Sequence, residues 1–177
     1  GQSYRPPRVV AVYSAHGLDG VSAAFHRHTR ARAQHPKRPR PLTLNMWEAI
    51  YFDQSFEKIK ELVDVAAEIG IERVVLDDGW FGSRRDDKSG LGDWVISPDV
   101  WPRGLTSIIE YINSKEIEFG LWFEGEMINP DSDLYRAHPE WVLREADRTP
   151  ALWRNQLVLD LAHPGAFEHV LEQTSSI

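Results

Sequence analysis

The sequence contains no cysteine among its 177 residues. Disulfide bridges and thiolate nucleophiles are therefore excluded, and so are most zinc sites, which use cysteine ligands. The sequence also lacks an apolar run of about 18 residues, the length of a membrane span, and it has no charged and then apolar leader at its N-terminus. We therefore expect neither a transmembrane helix nor a signal peptide, and we expect a cytoplasmic protein.

An excess of acidic side chains argues against a protein that binds nucleic acid. The chain carries 27 Asp and Glu against 20 Lys and Arg, a formal net charge of −7. The segment 26–40, HRHTRARAQHPKRPR, is basic and contains no acid. Such a run could form a phosphate-binding arm. No aromatic side chain is interleaved to stack on bases, and a solvated helix face that leads into a Pro-rich linker explains the run better.

The sequence changes character near residue 40. Residues 1–40 combine a short β-like pattern, RVVAVYS, with a basic segment that could be helical, and we interpret them as the end of a preceding domain and a linker. From Pro41 onwards the pattern alternates between strand and helix. It predicts strands over 42–47, 72–77 and 117–123, helices that begin near Ser55 and Leu105, a fourth extended run over 156–161 and a last helix after Pro164.

Alternating strands and helices with nearly continuous apolar strands predict a parallel sheet covered by helices. A doubly wound sheet that binds a dinucleotide would carry a Gly-rich turn after its first strand, but the first strand here is followed by WEAIYFDQ. In a (β/α)8 barrel, the functional residues gather at the C-terminal ends of successive strands. Polar and aromatic residues occur at those ends in this sequence, namely Trp47, Asp77, Asp78, Trp80, Trp122 and Glu124. The sequence therefore favours an α/β fold in which residues 41–177 form the N-terminal part of a TIM barrel.

Two adjacent aspartates at the end of the second strand, in VVLDDGWFG, are the strongest candidates for a functional site. Neighbouring side chains of an extended strand point to opposite faces, so Asp77 and Asp78 can face one ligand only if the chain turns, which Gly79 permits. A metal site would need His or further carboxylates at nearby strand ends, and none of the seven His follows the first three strands directly. Adjacent carboxylates also stand too close together to flank a scissile bond from opposite sides.

Recognition of a hydroxylated ligand is the remaining interpretation of the aspartate pair, because ionised carboxylates accept short, charge-assisted hydrogen bonds. Tryptophans at the three strand ends add flat apolar faces for the C–H surface of a sugar ring. We interpret the other four tryptophans as structural, namely Trp94, Trp101, Trp141 and Trp153.

Two further groups of charged residues have alternative interpretations. Asp86 and Asp87 follow two arginines, and we interpret the four residues as a salt-bridge network within a loop. Glu124 and Glu126 could be a catalytic pair on one face, or carboxylates that structure a loop. The spacing of the glutamates alone does not separate these two possibilities.

Several long motifs, taken in order, resemble the bacterial α-galactosidases of the melibiase type, glycoside hydrolase family 36. They are NMWEAIYFD, VVLDDGWFGSRRDD, FGLWFEGEM and RNQLVLDL, and the resemblance covers nearly the whole chain. It implies a retaining glycosidase that removes terminal α-linked galactose from melibiose and raffinose-type oligosaccharides without a cofactor or metal. It also implies a (β/α)8 barrel after an N-terminal β-sandwich domain, whose end would be residues 1–40, and a homo-oligomeric parent enzyme.

The resemblance assigns substrate-binding residues by motif. Trp47 of NMWEA would form a wall of the galactose pocket, and Asp77 and Asp78 would bind galactose hydroxyls. Trp122 of GLWFE and Arg154 of WRNQLVLDL would line the same site. The sequence departs from the family at position 125, where glycine replaces the usual proline between the two glutamates and loosens that turn.

The catalytic aspartates of the family have no counterpart in this sequence. The nucleophile belongs to a Lys-Trp-Asp motif on the next barrel strand and the acid/base residue lies further on, and neither motif occurs here. We therefore expect an excised piece of a barrel that binds substrate but is inactive and poorly stable alone. The alternatives are a free-standing sugar-binding module, or a related α-N-acetylgalactosaminidase or galactosyl transferase.

Overall fold

A computed structural model describes residues 3–145 and 148–177. The chain forms two compact units, the first of which ends at Arg40 and the second of which begins at Pro41. In the first unit, helix α1, Gly17–Arg30, contains the first part of the predicted basic segment. The β-like run over residues 8–14 forms no strand, because no other strand is present in the described part of this unit to pair with its backbone.

The second unit is built around a parallel sheet. Its strands are β1, Thr43–Asn45, β2, Arg73–Leu76, and β3, Glu118–Leu121, in the order β1-β2-β3. Between β1 and β2 lie a short helix α2, Trp47–Ile50, and a longer helix α3, Phe56–Glu68; between β2 and β3 lies α4, Thr106–Ser114. The predicted α/β fold with a parallel sheet is confirmed for these three strands.

Helix α3 begins and ends where the sequence predicts. The Ser55 hydroxyl accepts a hydrogen bond from the Lys58 backbone N–H (3.3 Å) and caps the N-terminus. Gly70, with φ of +80°, ends the helix in the left-handed conformation that favours glycine. One face of the helix is buried, and this face forms a single core with α4 and the sheet: Ile59, Val63, Ala66, Val74, Leu76, Leu105, Ile108 and Ile112.

The fourth extended run lies outside the parallel sheet. Its strand β5, Leu157–Val158, pairs antiparallel with β4, Met127–Ile128. A parallel return would need a crossover that is usually a helix of several turns, but the described residues between β4 and β5 form only α5, Asp133–Ala137, and the 3-10 helix Pro139–Trp141. The predicted last helix is present as α6, Pro164–Ser175. Within the described residues, no helix has the length and apolar composition to cross a bilayer.

Candidate functional site

The carboxyl ends of β1, β2 and β3 meet at one edge of the sheet. Asn45 lies beside Val75, and Leu76 lies beside Leu121. The ladder continues past β3, since the Trp122 backbone N–H donates to the Leu76 carbonyl (3.0 Å). The structure therefore brings three of the predicted site residues to this edge, one after each strand: Trp47, Asp77 and Trp122.

Asp77 is half-buried and is held by the neighbouring strand. Its Oδ2 accepts a hydrogen bond from Asn45 Nδ2 (2.5 Å) and its Oδ1 accepts one from the Asp78 backbone N–H (2.7 Å). The Asn45 Oδ1 in turn accepts from the Trp47 backbone N–H (2.8 Å). Asn45 thus connects Asp77 with Trp47, a role that sequence reasoning missed although the residue stands inside the NMWEA motif.

Asp78 is buried and forms an ion pair with Arg84. The guanidinium binds both carboxylate oxygens, Nε to Oδ1 at 2.8 Å and Nη2 to Oδ2 at 2.7 Å. The Asp78 side chain is 9% exposed and that of Arg84 is 1% exposed. The predicted loop network of Arg84 with Asp86 and Asp87 is therefore wrong, because Arg84 turns inward to the carboxylate at the strand end.

The predicted turn after the aspartate pair is present. Gly79 has φ of +104°, and the Gln54 amide Nε2 donates to the carbonyl oxygens of Asp77 (3.2 Å) and Asp78 (2.7 Å). A Cβ on Gly79 would lie 3.0 Å from Phe52 Cδ1. The turn is therefore fixed by glycine, by the half-buried ring of Phe52 and by a side-chain amide.

Substitution Gly79→Ala is expected to destabilise the protein by about 1–3 kcal/mol, the cost of holding a side chain in a sparsely populated backbone conformation. Its matched control is Gly104→Ala, because Gly104 has φ of +70° and open space where its Cβ would stand. Urea unfolding of both variants measures the loss. Gly79→Ala should lose more stability than Gly104→Ala, because only the Cβ on Gly79 would press against Phe52; equal losses would contradict this account of the turn.

Trp47 and Trp122 retain exposed surface, whereas Trp80 does not. Trp122 is half-buried and stacks on Phe81, with ring centroids 6.4 Å apart. Trp80 is 0% exposed, and its Nε1 donates to the Trp122 carbonyl oxygen (3.0 Å). The expectation that Trp80 offers a face to a sugar is therefore wrong, since surrounding aromatic rings enclose it, and the residue supports Trp122 instead.

The tryptophans predicted to be structural divide into two groups. Trp94 and Trp101 are buried, as predicted, and Trp141 is half-buried and stacks on His138 at a centroid distance of 3.8 Å. Trp153 is 77% exposed, so its structural assignment is wrong. It begins a surface hairpin, and its ring faces outward from the described residues.

Arg154 lies in that hairpin, at the first central position of a tight turn. Trp153 and Gln156 exchange two backbone hydrogen bonds, at 3.1 and 2.8 Å. The two residues between them have positive φ, 49° for Arg154 and 60° for Asn155, as a type I′ turn requires. The sequence gives little signal of this turn, because Asn-Gly is the usual pair there and Arg-Asn is not.

Glu124 and Glu126 differ in their surroundings. Glu124 begins a β-turn, in which the Met127 backbone N–H donates to its carbonyl oxygen (3.0 Å), and its Oε2 accepts from the buried Gln156 Nε2 (3.1 Å). Burial raises the pKa of Glu124 and the charge of Glu126 raises it further, while Arg154 and the Gln156 hydrogen bond lower it. Glu126 is exposed. The geometry favours the loop-structuring interpretation for Glu124.

The raised pKa predicts a pH-dependent effect of Glu124→Gln. Between the ordinary glutamate pKa and the raised pKa of the folded state, the folded protein binds more protons than the unfolded one, so the wild-type protein loses stability as pH rises through this window. Glutamine can keep the bond to Gln156 without the buried charge. The variant should therefore gain thermal stability over the wild type as pH increases from 4 to 7. If the difference in Tm between the variant and the wild type narrowed with increasing pH, the result would contradict the prediction.

Within the described residues, no group of three or more His, Asp and Glu side chains is arranged to hold a metal ion. The sheet edge at the carboxyl ends of β1, β2 and β3 offers carboxylate acceptors and aromatic faces. This chemistry suits a ligand with several hydroxyl groups and an apolar ring face.

A family model described as Melibiase matches residues 3–177. The α-galactosidase AgaA of Geobacillus stearothermophilus is 45% identical over 180 aligned residues, which cover 100% of this chain and 25% of AgaA. The α-galactosidase Mel36A of Lactobacillus acidophilus is 42% identical over 99% of this chain and 24% of its own length. The chain spans about a quarter of the length of these curated relatives.

Solved structures of α-galactosidases also superimpose on this chain. The crystal structure of the GH36 α-galactosidase AgaB from Geobacillus stearothermophilus superimposes with a TM-score of 0.88 at 43% identity, covering 94% of this chain and 23% of AgaB. A variant of AgaA in complex with raffinose superimposes with a TM-score of 0.84 at 44% identity, covering 90% of this chain and 23% of that protein.

Proposed function

The chain belongs to the melibiase family, and on this basis we propose that it forms the substrate-binding part of an α-galactosidase, a retaining glycoside hydrolase. The observation that carries the proposal is the edge of the sheet, where two carboxylates and two tryptophans follow the three parallel strands. The related AgaA variants have structures with raffinose and with stachyose. These complexes support α-galactoside oligosaccharides as the substrate class.

Each residue has a role that its surroundings support. Asp77 is half-buried, and each of its carboxylate oxygens accepts a hydrogen bond, while a carboxylate oxygen has a second lone pair for a sugar hydroxyl. Asp78 has less exposed surface, and the two bonds from Arg84 fix the direction of its carboxylate. Trp47 and Trp122 would pack on the galactose ring, and Arg154 would donate to its hydroxyls from the hairpin.

The proposal extends to the architecture of the parent protein. The three parallel strands with intervening helices are the expected beginning of a (β/α)8 barrel, and residues 1–40 would be the end of an N-terminal β-sandwich domain. The exposed apolar side chains of the first unit support such a role, since a domain that continued there would cover them: Val9, Val10, Val12 and Tyr13. We propose none of the described carboxylates as nucleophile or acid/base residue.

Activity of the full-length protein that contains this chain tests the proposal. It should hydrolyse raffinose and p-nitrophenyl α-galactoside with retention of anomeric configuration, followed by NMR, and galactose should inhibit competitively. The 177-residue chain alone should release no nitrophenol above a mock preparation, because retaining hydrolysis needs two carboxyl groups about 5–5.5 Å apart across the glycosidic bond. Galactose binding without turnover by the full-length protein would favour a sugar-binding module instead.

A further inference from the structure

Asn129, which directly follows β4, is fully buried and uses its side chain in three hydrogen bonds. Its Oδ1 accepts from Arg84 Nη1 (3.1 Å) and from the Leu91 backbone N–H (2.8 Å). Its Nδ2 donates to the Asn155 carbonyl oxygen (2.7 Å). The residue therefore contacts the ion pair of Asp78 on one side and the hairpin of Arg154 on the other.

The Arg84 guanidinium connects Asn129 with Asp78. Its Nε and Nη2 bind the Asp78 carboxylate, while its Nη1 donates to Asn129 and to the Ser89 carbonyl oxygen (3.0 Å). The fork of a guanidinium is planar and rigid. Any displacement of Asn129 therefore changes the direction of the group that holds Asp78.

The hairpin is the link to Arg154. Arg154 and Asn155 both hold left-handed backbone conformations, with φ of 49° and 60°, and such conformations are costly for residues with a side chain. The bond from Asn129 Nδ2 fixes the carbonyl oxygen of Asn155, inside the turn. This bond fixes the orientation of the peptide group between Asn155 and Gln156. It thereby holds the turn, and with it the backbone from which the Arg154 side chain projects.

The hydrogen bond that the Asn129 Oδ1 accepts from Arg84 and the one that its Nδ2 donates to Asn155 also strengthen each other. A cationic donor at Oδ1 polarises the amide group, which makes Nδ2 a better donor to the Asn155 carbonyl. The bond from Arg84 to Asn129 is buried and the bond from Asn129 to Asn155 is part-buried, and away from water hydrogen bonds have greater electrostatic strength. The continuous path runs from Asp78 through Arg84 and Asn129 to Asn155.

We propose that Asn129 is a positioning residue that couples Asp78 to Arg154 and so fixes the two sides of the galactosyl site relative to each other. The inference rests on the proposed function, because it needs both residues to contact the sugar. Sequence reasoning had no means of finding Asn129, which lies between two motifs and reaches both partners only through the fold.

Substitution Asn129→Asp in the full-length protein tests the coupling. Aspartate has the same shape and keeps the acceptors, but it loses the donor to Asn155 and competes with Asp78 for Arg84. The dissociation constant for galactose should rise about tenfold, as expected for the loss of one buried hydrogen bond. The matched control is Tyr111→Phe, which removes a part-buried hydrogen bond to Asp64 (2.5 Å) that shares no partner with Asn129. It should change the constant less than about twofold.

A double-mutant cycle separates positioning from a merely structural role. If Asn129 acts through Arg154 as well as through Asp78, Asn129→Asp should weaken galactose binding by a smaller factor in an Arg154→Ala background than in the wild type, because only its effect through Asp78 remains there. A structural defect would weaken binding equally in both backgrounds, and that result would overturn the inference. Wild-type affinity in Asn129→Asp would overturn it as well. If Asn129→Asp does not fold, Asn129→Ser, which removes the amide without adding charge, takes its place in the same cycle.

The failure of this inference differs from the failure of the proposed function. A wild-type protein that does not bind galactose overturns the proposed function and the coupling with it. A wild-type protein that binds galactose, together with equal effects of Asn129→Asp in the two backgrounds, overturns the coupling alone.

Discussion

Replacing Arg84 with methionine is expected to destabilise the domain by about 3–5 kcal/mol, because removal of one partner leaves the other charge of a buried ion pair uncompensated. The Asp78 carboxylate would keep its burial and lose both donors of the guanidinium. Asn129 and the Ser89 carbonyl would each lose a donor as well. Unfolding in urea, followed by circular dichroism, measures the loss.

Two further variants control for the nature of this effect. Arg73→Met removes an ion pair with Glu118 whose side chains are 31% and 44% exposed, and an exposed pair of this kind contributes less than about 1 kcal/mol. The double variant Arg84→Met with Asp78→Asn should recover part of the lost stability, since it removes the uncompensated charge. If Arg84→Met lowered the free energy of unfolding as little as Arg73→Met, the buried ion pair would contribute no more to stability than an exposed one.

Replacing Asp77 with alanine is expected to lower kcat/KM for α-galactosides by about ten- to several-hundredfold, with the fold intact. The loss corresponds to one or two charge-assisted hydrogen bonds of about 1.5–3 kcal/mol each. Part of it should fall on the transition state, where distortion of the sugar ring tightens the fit. Asp77 tests sugar binding more cleanly than Asp78, because Asp78→Ala would also leave the buried Arg84 without the carboxylate that balances its charge.

The outcome of Asp77→Ala also separates the possible roles of this residue. Under hydroxyl recognition, a covalent galactosyl intermediate should remain trappable with a mechanism-based fluoro-sugar in the full-length protein. Wild-type kcat/KM in the variant, or recovery of the activity by added divalent metal, would show that Asp77 does not bind the sugar hydroxyls. Unfolding of the variant would favour a role in capping the strand.

The sequence predicted the elements whose pattern is local. Helix α3 has its cap at Ser55, its buried positions at helical spacing and its stop at Gly70, all within 16 residues of chain. The same holds for β2, whose apolar run ends at Asp77. Short-range periodicity and turn chemistry decide such elements, and for that reason they are visible without the fold.

The contacts that shape the site were not predictable, because they join distant or irregular parts of the chain. Arg84 reaches Asp78 across an irregular loop, and a run of alternating charges gives no indication of which acid each arginine binds. The antiparallel strands β4 and β5 have two residues each, which is too few to show an alternating pattern of apolar and polar side chains. The turn that carries Arg154 places an arginine, which rarely adopts positive φ, before Asn155, so the sequence gives only a weak signal of the turn.

The most direct test of the central claim, that the edge of the parallel sheet binds galactose through Asp77, is calorimetric titration of the full-length protein with galactose. The wild type should be compared with Asp77→Asn and with Asp64→Asn, since Asp64 also binds a hydroxyl, that of Tyr111, and an amine, that of Lys115, but between two helices. Asp64→Asn should bind galactose as the wild type does, and Asp77→Asn should bind it at least about tenfold more weakly. Equal affinities in all three proteins would contradict the claim.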